Sequence, residues 1–340
     1  MSLITVTSPH ATGQRNHTGA FMRQVIYATI PGVLVLTWLF GWGTLFNLMV
    51  AIPAALIAEA AVLKARGRDI RFALSDWSAV VTAVLLAIAI PPTSPWWLIV
   101  VGIIAAIVVA KQLYGGLGMN PFNPAMVGYV VLLISFPLEM TRWIAPDEAP
   151  SWFDSLRMVL ASANVDAFTG ATPLDSFRTW AGNAEQLASQ PILHGHFAGA
   201  GWEWVNLAFL LGGIYLLARK IITWHIPVGM LAGMALIALP FWLVDDVHYA
   251  SPVFHLFSGA AMFGAFFIAT DPVSAATSRY GRLLYGALIG VLVWVIRSHG
   301  GYPDAVAFAV LLMNLAAPTI DYYTQPRSYG HRKAKRGASR

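Results

Sequence analysis

Asn123-Pro-Ala-Met-Val-Gly-Tyr-Val-Val-Leu-Leu-Ile-Ser135 is a proline-led apolar run, and the chain returns to the pattern 179 residues later as Tyr302-Pro-Asp-Ala-Val-Ala-Phe-Ala-Val-Leu-Leu-Met-Asn314. One proline, two valines and two leucines coincide. Nearly the same shift lays Ile90-Pro-Pro-Thr-Ser94 on Thr270-Asp-Pro-Val-Ser274. Around these segments, apolar runs occur at about 24–41, 43–63, 77–91, 95–111 and 123–138, then at 203–218, 222–243, 253–270, 282–297 and 303–320. A bilayer crossing takes about 20 apolar residues, and the third and ninth runs fall short of that. The fold class expected is an all-α polytopic membrane protein of about ten spans in two five-helix repeats. Five is odd, so the second repeat is inverted relative to the first. Sites in such folds form at the repeat interface, where interrupted helices end.

Composition points the same way. The chain is 57% apolar and 11% charged, whereas soluble domains carry roughly 25% charged residues. It has no cysteine, which excludes disulfides, thiolate nucleophiles and cysteine-ligated iron–sulfur clusters. Any electrons it handles must travel on an organic cofactor. The polar start lacks the apolar core of a signal peptide, so the first span is expected to stay as an anchor.

Basic residues in short loops orient such a chain. With the N-terminus in the cytoplasm, Lys64, Arg66, Arg68, Arg71, Lys111, Arg219, Lys220, Arg279, Arg282 and the tail Arg332–Arg336 all fall inside. Only Arg142, Arg157, Arg178 and Arg297 of the 21 basic residues fall elsewhere, leaving 17 inside. The organisation expected is a cytoplasmic segment 1–23, a first repeat 24–138, a periplasmic loop 139–202, a second repeat 203–320 and a cytoplasmic basic tail 321–340. The net charge of +5 expresses this bias and implies no nucleic-acid partner. The long loop is acidic: Glu139, Asp147, Glu148, Asp154, Asp166, Asp175 and Glu185 face three arginines.

That loop carries Asp166-Ala-Phe-Thr-Gly-Ala-Thr172-Pro-Leu. Gly170 and Ala171 leave the backbone open beside the Thr172 hydroxyl, and Pro173 stiffens the chain after it. The spacing alone suits either a modification acceptor or an ordinary turn. Asp-x-x-(Ser/Thr)-Gly-Ala-Thr resembles the motif to which a flavin transferase joins FMN through its phosphate. Ser8-Pro-His10, Pro91-Pro-Thr-Ser-Pro95, Asn120-Pro-Phe-Asn-Pro-Ala125 and Phe266-Phe-Ile-Ala-Thr-Asp-Pro-Val-Ser274 match the same family. The chain resembles a family of membrane subunits that includes the D subunit of the Rnf (Rsx) electron-transport complex and the B subunit of the sodium-pumping NADH:quinone reductase. Thr169, where serine is commoner, departs from the pattern without touching the acceptor. The quinone-reductase branch usually has a longer N-terminal extension, so the Rnf branch is preferred.

The resemblance implies covalent FMN as a phosphoester on Thr172, within a motif formed by Asp166, Thr169, Gly170, Ala171 and Pro173. It implies a second, non-covalent flavin (riboflavin) within the bundle. Asn120, Asn123, Asp271 and Ser274 are the candidates for that inner flavin site or for an ion site. It implies a subunit of the bacterial inner membrane, working in a complex that couples ferredoxin–NAD electron transfer to sodium or proton movement. Its partners would be membrane subunits, a second flavin-bearing subunit and the flavin transferase; alone it would complete no turnover. The competing class is a urea-channel-like solute channel, which has no use for a flavin acceptor.

Other polar residues read more plainly. Glu59, within span two, is an intramembrane carboxylate and a functional candidate, or else a partner of Lys64 or Arg66. His194 and His196 lack an evident third metal ligand. Gly115-Gly-Leu-Gly118 does not fit the dinucleotide fingerprint, and no phosphate-binding G-x-x-x-x-G-K run exists. No metal, NADH or ATP site is expected.

Overall fold

The computed structural model describes residues 17–146, 148–161, 165–302 and 304–325. Ser8–His10, Asp147 and the basic tail lie outside the described residues. Ten helical segments occupy the expected runs. Spans one to five are His17–Phe40, Gly43–Ala65, Ser78–Ala89, Trp96–Gln112 and Pro124–Ser135. Spans six and seven are Trp202–Ala218 and His225–Val244, and spans nine and ten are Arg279–His299 and Val306–Tyr323. Span eight is broken into Pro252–Phe257 and a second piece from Ala261 to Ile268. Five spans are long and apolar enough to cross a bilayer, and four more are shorter apolar helices. Span nine, expected to be short, is a full 21-residue helix. Its ends carry Arg279, Arg282, Arg297 and His299, which hid its length from an apolar count.

The helix starts are spaced almost alike in the two halves of the chain. Helices beginning at 17, 43, 96 and 124 recur as helices beginning at 202, 225, 279 and 306. The match that aligned Asn123 with Tyr302 is therefore about one turn out of register. The residue flanking the span-ten helix as Asn123 flanks span five is Ala305. Apolar side chains repeat too freely to fix a register that helix ends define.

Close helix packing needs small residues where backbones meet. Span seven carries Gly229 and Gly233, and span nine carries Gly286 and Gly290, each pair four residues apart. A methyl group on Gly290 would lie 2.0 Å from the carbonyl oxygen of Met230, and one on Gly233 would lie 2.3 Å from that of Ala287. Spans one and six meet likewise, with Gly212 against the Ala28 carbonyl at 2.1 Å from any added Cβ.

Two residues counted as edge charges are buried. Lys111 sits in the π-helical end of span four, Ala105–Gln112, whose extra residue per turn brings Lys111 and Gln112 together into the bundle. Lys111 donates to Glu59 Oε1 and to Ser78 Oγ, both at 2.6 Å, and Gln112 Nε2 donates to the same Glu59 oxygen at 2.7 Å. Glu59 thus pairs across the bundle with Lys111 and not with Lys64 or Arg66 on its own helix. Arg297 is also buried, its side chain only 1% exposed.

Gly290→Ala is expected to push spans seven and nine apart, because the clash is with backbone and not with a flexible side chain. Overpacking of this kind costs about 1–3 kcal/mol. Thermal unfolding in detergent checks it, and an unchanged midpoint would contradict the tight crossing.

Candidate functional site

The break in span eight shapes the site. Gly259 takes a left-handed backbone (φ +59°), which ends the helix begun at Pro252 and re-aims the chain. The freed backbone groups are then satisfied by side chains. Asn206 Nδ2 donates to the carbonyls of Phe257 (3.0 Å) and Gly259 (2.9 Å), while its Oδ1 accepts from the Met262 N–H at 3.1 Å. Arg297 donates to the carbonyls of His255 (2.7 Å) and Ser258 (3.2 Å). Asp304 accepts from the Ala260 N–H at 2.7 Å and pairs with Arg297 at 3.2 Å.

Beside this break a cleft of about 980 Å³, counting its open mouth, runs down between spans one, three, five, six, eight and ten. Thr172 and Asp175 stand in its wall with Asp304 and Thr141. Tyr129, Trp143, Trp202, Phe209, Phe263 and Tyr302 give it an aromatic lining, and Trp143 and Trp202 meet edge to face at 4.9 Å. The lining suits a planar ring system with one polar end.

A strand pair and a helix cap bring Thr172 here. Thr169–Gly170 pairs antiparallel with Trp143–Ile144, the strand that follows span five. Thr172 then caps the helix Pro173–Trp180, with its Oγ1 accepting from the Asp175 N–H at 3.2 Å. Pro173 occupies the first helical position, where a missing N–H costs nothing. The same hydroxyl donates to Asp175 Oδ2 at 3.3 Å. Burial holds the Asp175 carboxyl above the usual carboxylate range, against the lowering pull of Thr172 and Arg178. A phosphate on Thr172 would stand at the N-terminal end of this helix, where the dipole favours an anion.

Asp166 is not the carboxylate beside the acceptor. It is exposed and lies 3.5 Å from Arg142, while its backbone carbonyl takes the Thr169 hydroxyl at 3.4 Å. Ala171 is exposed. His194 Nε2 lies 2.9 Å from the Ala188 carbonyl, and the His196 N–H donates to Glu203. Glu203 is buried at the start of span six and also takes the N–H groups of Phe197 and Ala198. It ties the end of the loop to the bundle.

A second cavity, of about 1330 Å³ with its mouth, opens at the other end of the bundle. Asn120, Asn123 and Asp271 meet in its wall with Lys111, Ser78 and Phe267. Asn123 caps span five through the Met126 N–H (3.3 Å) and crosses to the Ile268 carbonyl of span eight (3.3 Å). Asn120 donates to the Phe122 carbonyl, and its buried Oδ1 has no hydrogen-bond partner among the described residues. Ser274 does not line the cavity; it stands behind Asp271 and donates to it at 2.7 Å. Cleft and cavity are back to back. Met126 and Ile268 face the cleft, while their neighbours Ala125 and Phe267 face the cavity.

Sequence reasoning passes over Asn206, Glu203, Arg297 and Asp304 as site-builders. The signal is present, since each is a polar residue in or against an apolar run.

The chain matches the NQR2, RnfD, RnfE family over residues 4–330. It is 67% identical to the D subunit of the ion-translocating oxidoreductase complex of Alcanivorax borkumensis, over the full length of both chains. The protein of that name in Pseudomonas aeruginosa is 59% identical, over 99% of this chain and 98% of the relative. In Salmonella enteritidis it is 54% identical, over 96% and 98%.

The raised Asp175 carboxyl fixes the sign of a pH effect. The folded group holds its proton more tightly than the unfolded one, whose pKa is near 3.8. This group's contribution to stability is therefore full below that value and is lost as pH rises towards the folded pKa. Asp175→Asn is expected to flatten this acidic limb in thermal unfolding across pH 3–7 in roughly one-unit steps. An unchanged slope would contradict the assignment.

Proposed function

The chain belongs to the NQR2, RnfD, RnfE family, and from that premise we propose that it is the membrane electron-transfer subunit of an ion-translocating oxidoreductase complex, bearing FMN as a phosphoester on Thr172. The observation that carries this reading is the position of the motif. The hydroxyl of the attachment sequence stands in the wall of an aromatic-lined cleft, at the start of a helix. A flavin supplies one- and two-electron carriage; the protein supplies position and electrostatics. Thr172 anchors one end, the aromatic walls receive a planar ring, and Asp304 and Asp175 offer hydrogen-bond acceptors.

The second cavity takes the non-covalent flavin. Asn120 offers a buried acceptor that is unpaired among the described residues, Asn123 and Asp271 offer further polar contacts, and Phe266 and Phe267 offer ring faces. The internal duplication supports this assignment. The cleft is built on the starts of spans six and ten and on the break in span eight, and the cavity on the starts of spans one, three and five, so the two are counterparts. Met126 and Ile268 line the cleft, and their chain neighbours Ala125 and Phe267 line the cavity. That suits passage of electrons between two carriers and not passage of a solute, the alternative a urea-channel-like architecture would imply.

In this reading both termini lie in the cytoplasm and the Thr172 loop lies in the periplasm, across the inner membrane of a bacterium. The partners are the other membrane subunits, a second flavin-bearing subunit and the flavin transferase that loads Thr172. Electron flow is coupled to the movement of sodium ions or protons.

Thr172→Ala is expected to abolish covalent flavin while the subunit still inserts and assembles. Thr169→Ala is expected to keep the bond, because its hydroxyl turns back to Asp166. In-gel flavin fluorescence of the denatured protein checks both, and fluorescence surviving in Thr172→Ala would overturn the assignment. Asp271→Ala is expected to keep the covalent FMN and the assembled complex while losing the non-covalent flavin. Retention of both flavins with full electron transfer and ion pumping would make the Asn123 cluster purely structural, whereas loss of pumping alone would make it an ion site. For orientation, alkaline phosphatase fused near Ala184 is expected to be active and a fusion after Tyr329 inactive; the reverse pattern would invert the topology.

A further inference from the structure

Among the described residues, each half of the bundle buries one cation at the C-terminal end of its fourth span, Lys111 in span four and Arg297 in span nine. Lys111 reaches Ser78 at the start of span three, and Arg297 reaches the Ser258 carbonyl at the break in span eight. Each cation has one carboxylate partner: Glu59 for Lys111 at 2.6 Å, and Asp304 for Arg297 at 3.2 Å. What differs is the member that faces the cavity. Lys111 forms part of the wall of the Asn123 cavity, and Glu59 stands behind it. In the Thr172 cleft the order is reversed, with Asp304 in the wall and Arg297 behind. The Lys111 ammonium has three N–H groups, of which Glu59 and Ser78 take two. Both Asp304 oxygens accept one bond from the protein and keep lone pairs for a neighbour.

A buried ion pair seen from its positive end favours added negative charge nearby, and one seen from its negative end opposes it. Water screens this little inside a protein. We infer that these two oppositely facing pairs hold the occupant of the Asn123 cavity at a higher reduction potential than the occupant of the Thr172 cleft, Lys111 raising the one and Asp304 lowering the other. The inference rests on the reading that both cavities hold flavin.

The test is a spectroelectrochemical titration of both flavins in the purified complex, with the covalent one identified by its fluorescence on the denatured subunit. Lys111→Gln is expected to make reduction of the non-covalent flavin less favourable by about tenfold, or about 59 mV for a one-electron couple. Lys111→Arg is expected to retain the original potential. Glu59→Gln removes the anion behind Lys111 and is expected to move the same potential upward. Asp304→Asn is expected to raise the covalent flavin and leave the other unmoved. Should Lys111→Gln or Asp304→Asn fail to assemble, the opposite-sign Glu59→Gln shift carries the decision. Potentials that stay put, or move with the wrong sign, in complexes that hold both flavins would overturn the inference alone. Absence of either flavin from the unmodified complex would overturn the reading beneath it, and the inference with it.

Discussion

Backbone groups freed inside an apolar bundle have nowhere to turn but to side chains, and the break in span eight is where this chain meets that constraint. From His255 to Met262, carbonyls and N–H groups that a continuous helix would pair internally are taken up by Asn206, Arg297 and Asp304. Leaving such groups unpaired costs several kcal/mol each in hydrocarbon, so these three residues are conditions of the fold. The break they sustain opens the Thr172 cleft, because Gly259 and Ala260 are part of its wall. Removing one member of the Arg297–Asp304 pair would strand a buried charge, typically a loss of about 3–5 kcal/mol.

A second solution stands at the other end of the bundle. The first half meets a similar constraint at the other end, where the π-helical close of span four carries Lys111 inward to Ser78 and Glu59. Asn123 then ties the halves together by capping span five and donating to the last carbonyl of span eight. The same residue therefore closes a helix, joins two repeats and lines a cavity.

Much of this is legible in the sequence. The ten runs, the polar loop and the Thr-Gly-Ala-Thr motif stand out because apolar periodicity and turn chemistry are local properties. Asn120, Asn123 and Asp271 can be grouped because prolines beside them mark interrupted helices. Lys111 and Arg297 mislead, since a cation near the end of an apolar run looks like a loop charge until a partner across the bundle is seen. Glu59 stands out in the sequence but its partner does not, for the same reason: Lys111 lies 52 residues away. Asp175, the carboxylate that touches Thr172, is overlooked in favour of Asp166, because a helix cap is made three residues downstream and the attachment motif is read upstream.

Everything proposed for the cleft turns on Thr172 carrying the flavin. Trypsin cuts after Arg157 and Arg178, releasing one peptide, 158–178, that contains the whole motif. Tandem mass spectrometry of that peptide from the native subunit tests the attachment most directly. The result expected is an added mass equal to FMN less one water, with fragment ions placing it on Thr172. An unmodified peptide from a complex that is active in electron transfer, or the same mass placed on Thr169, would contradict it.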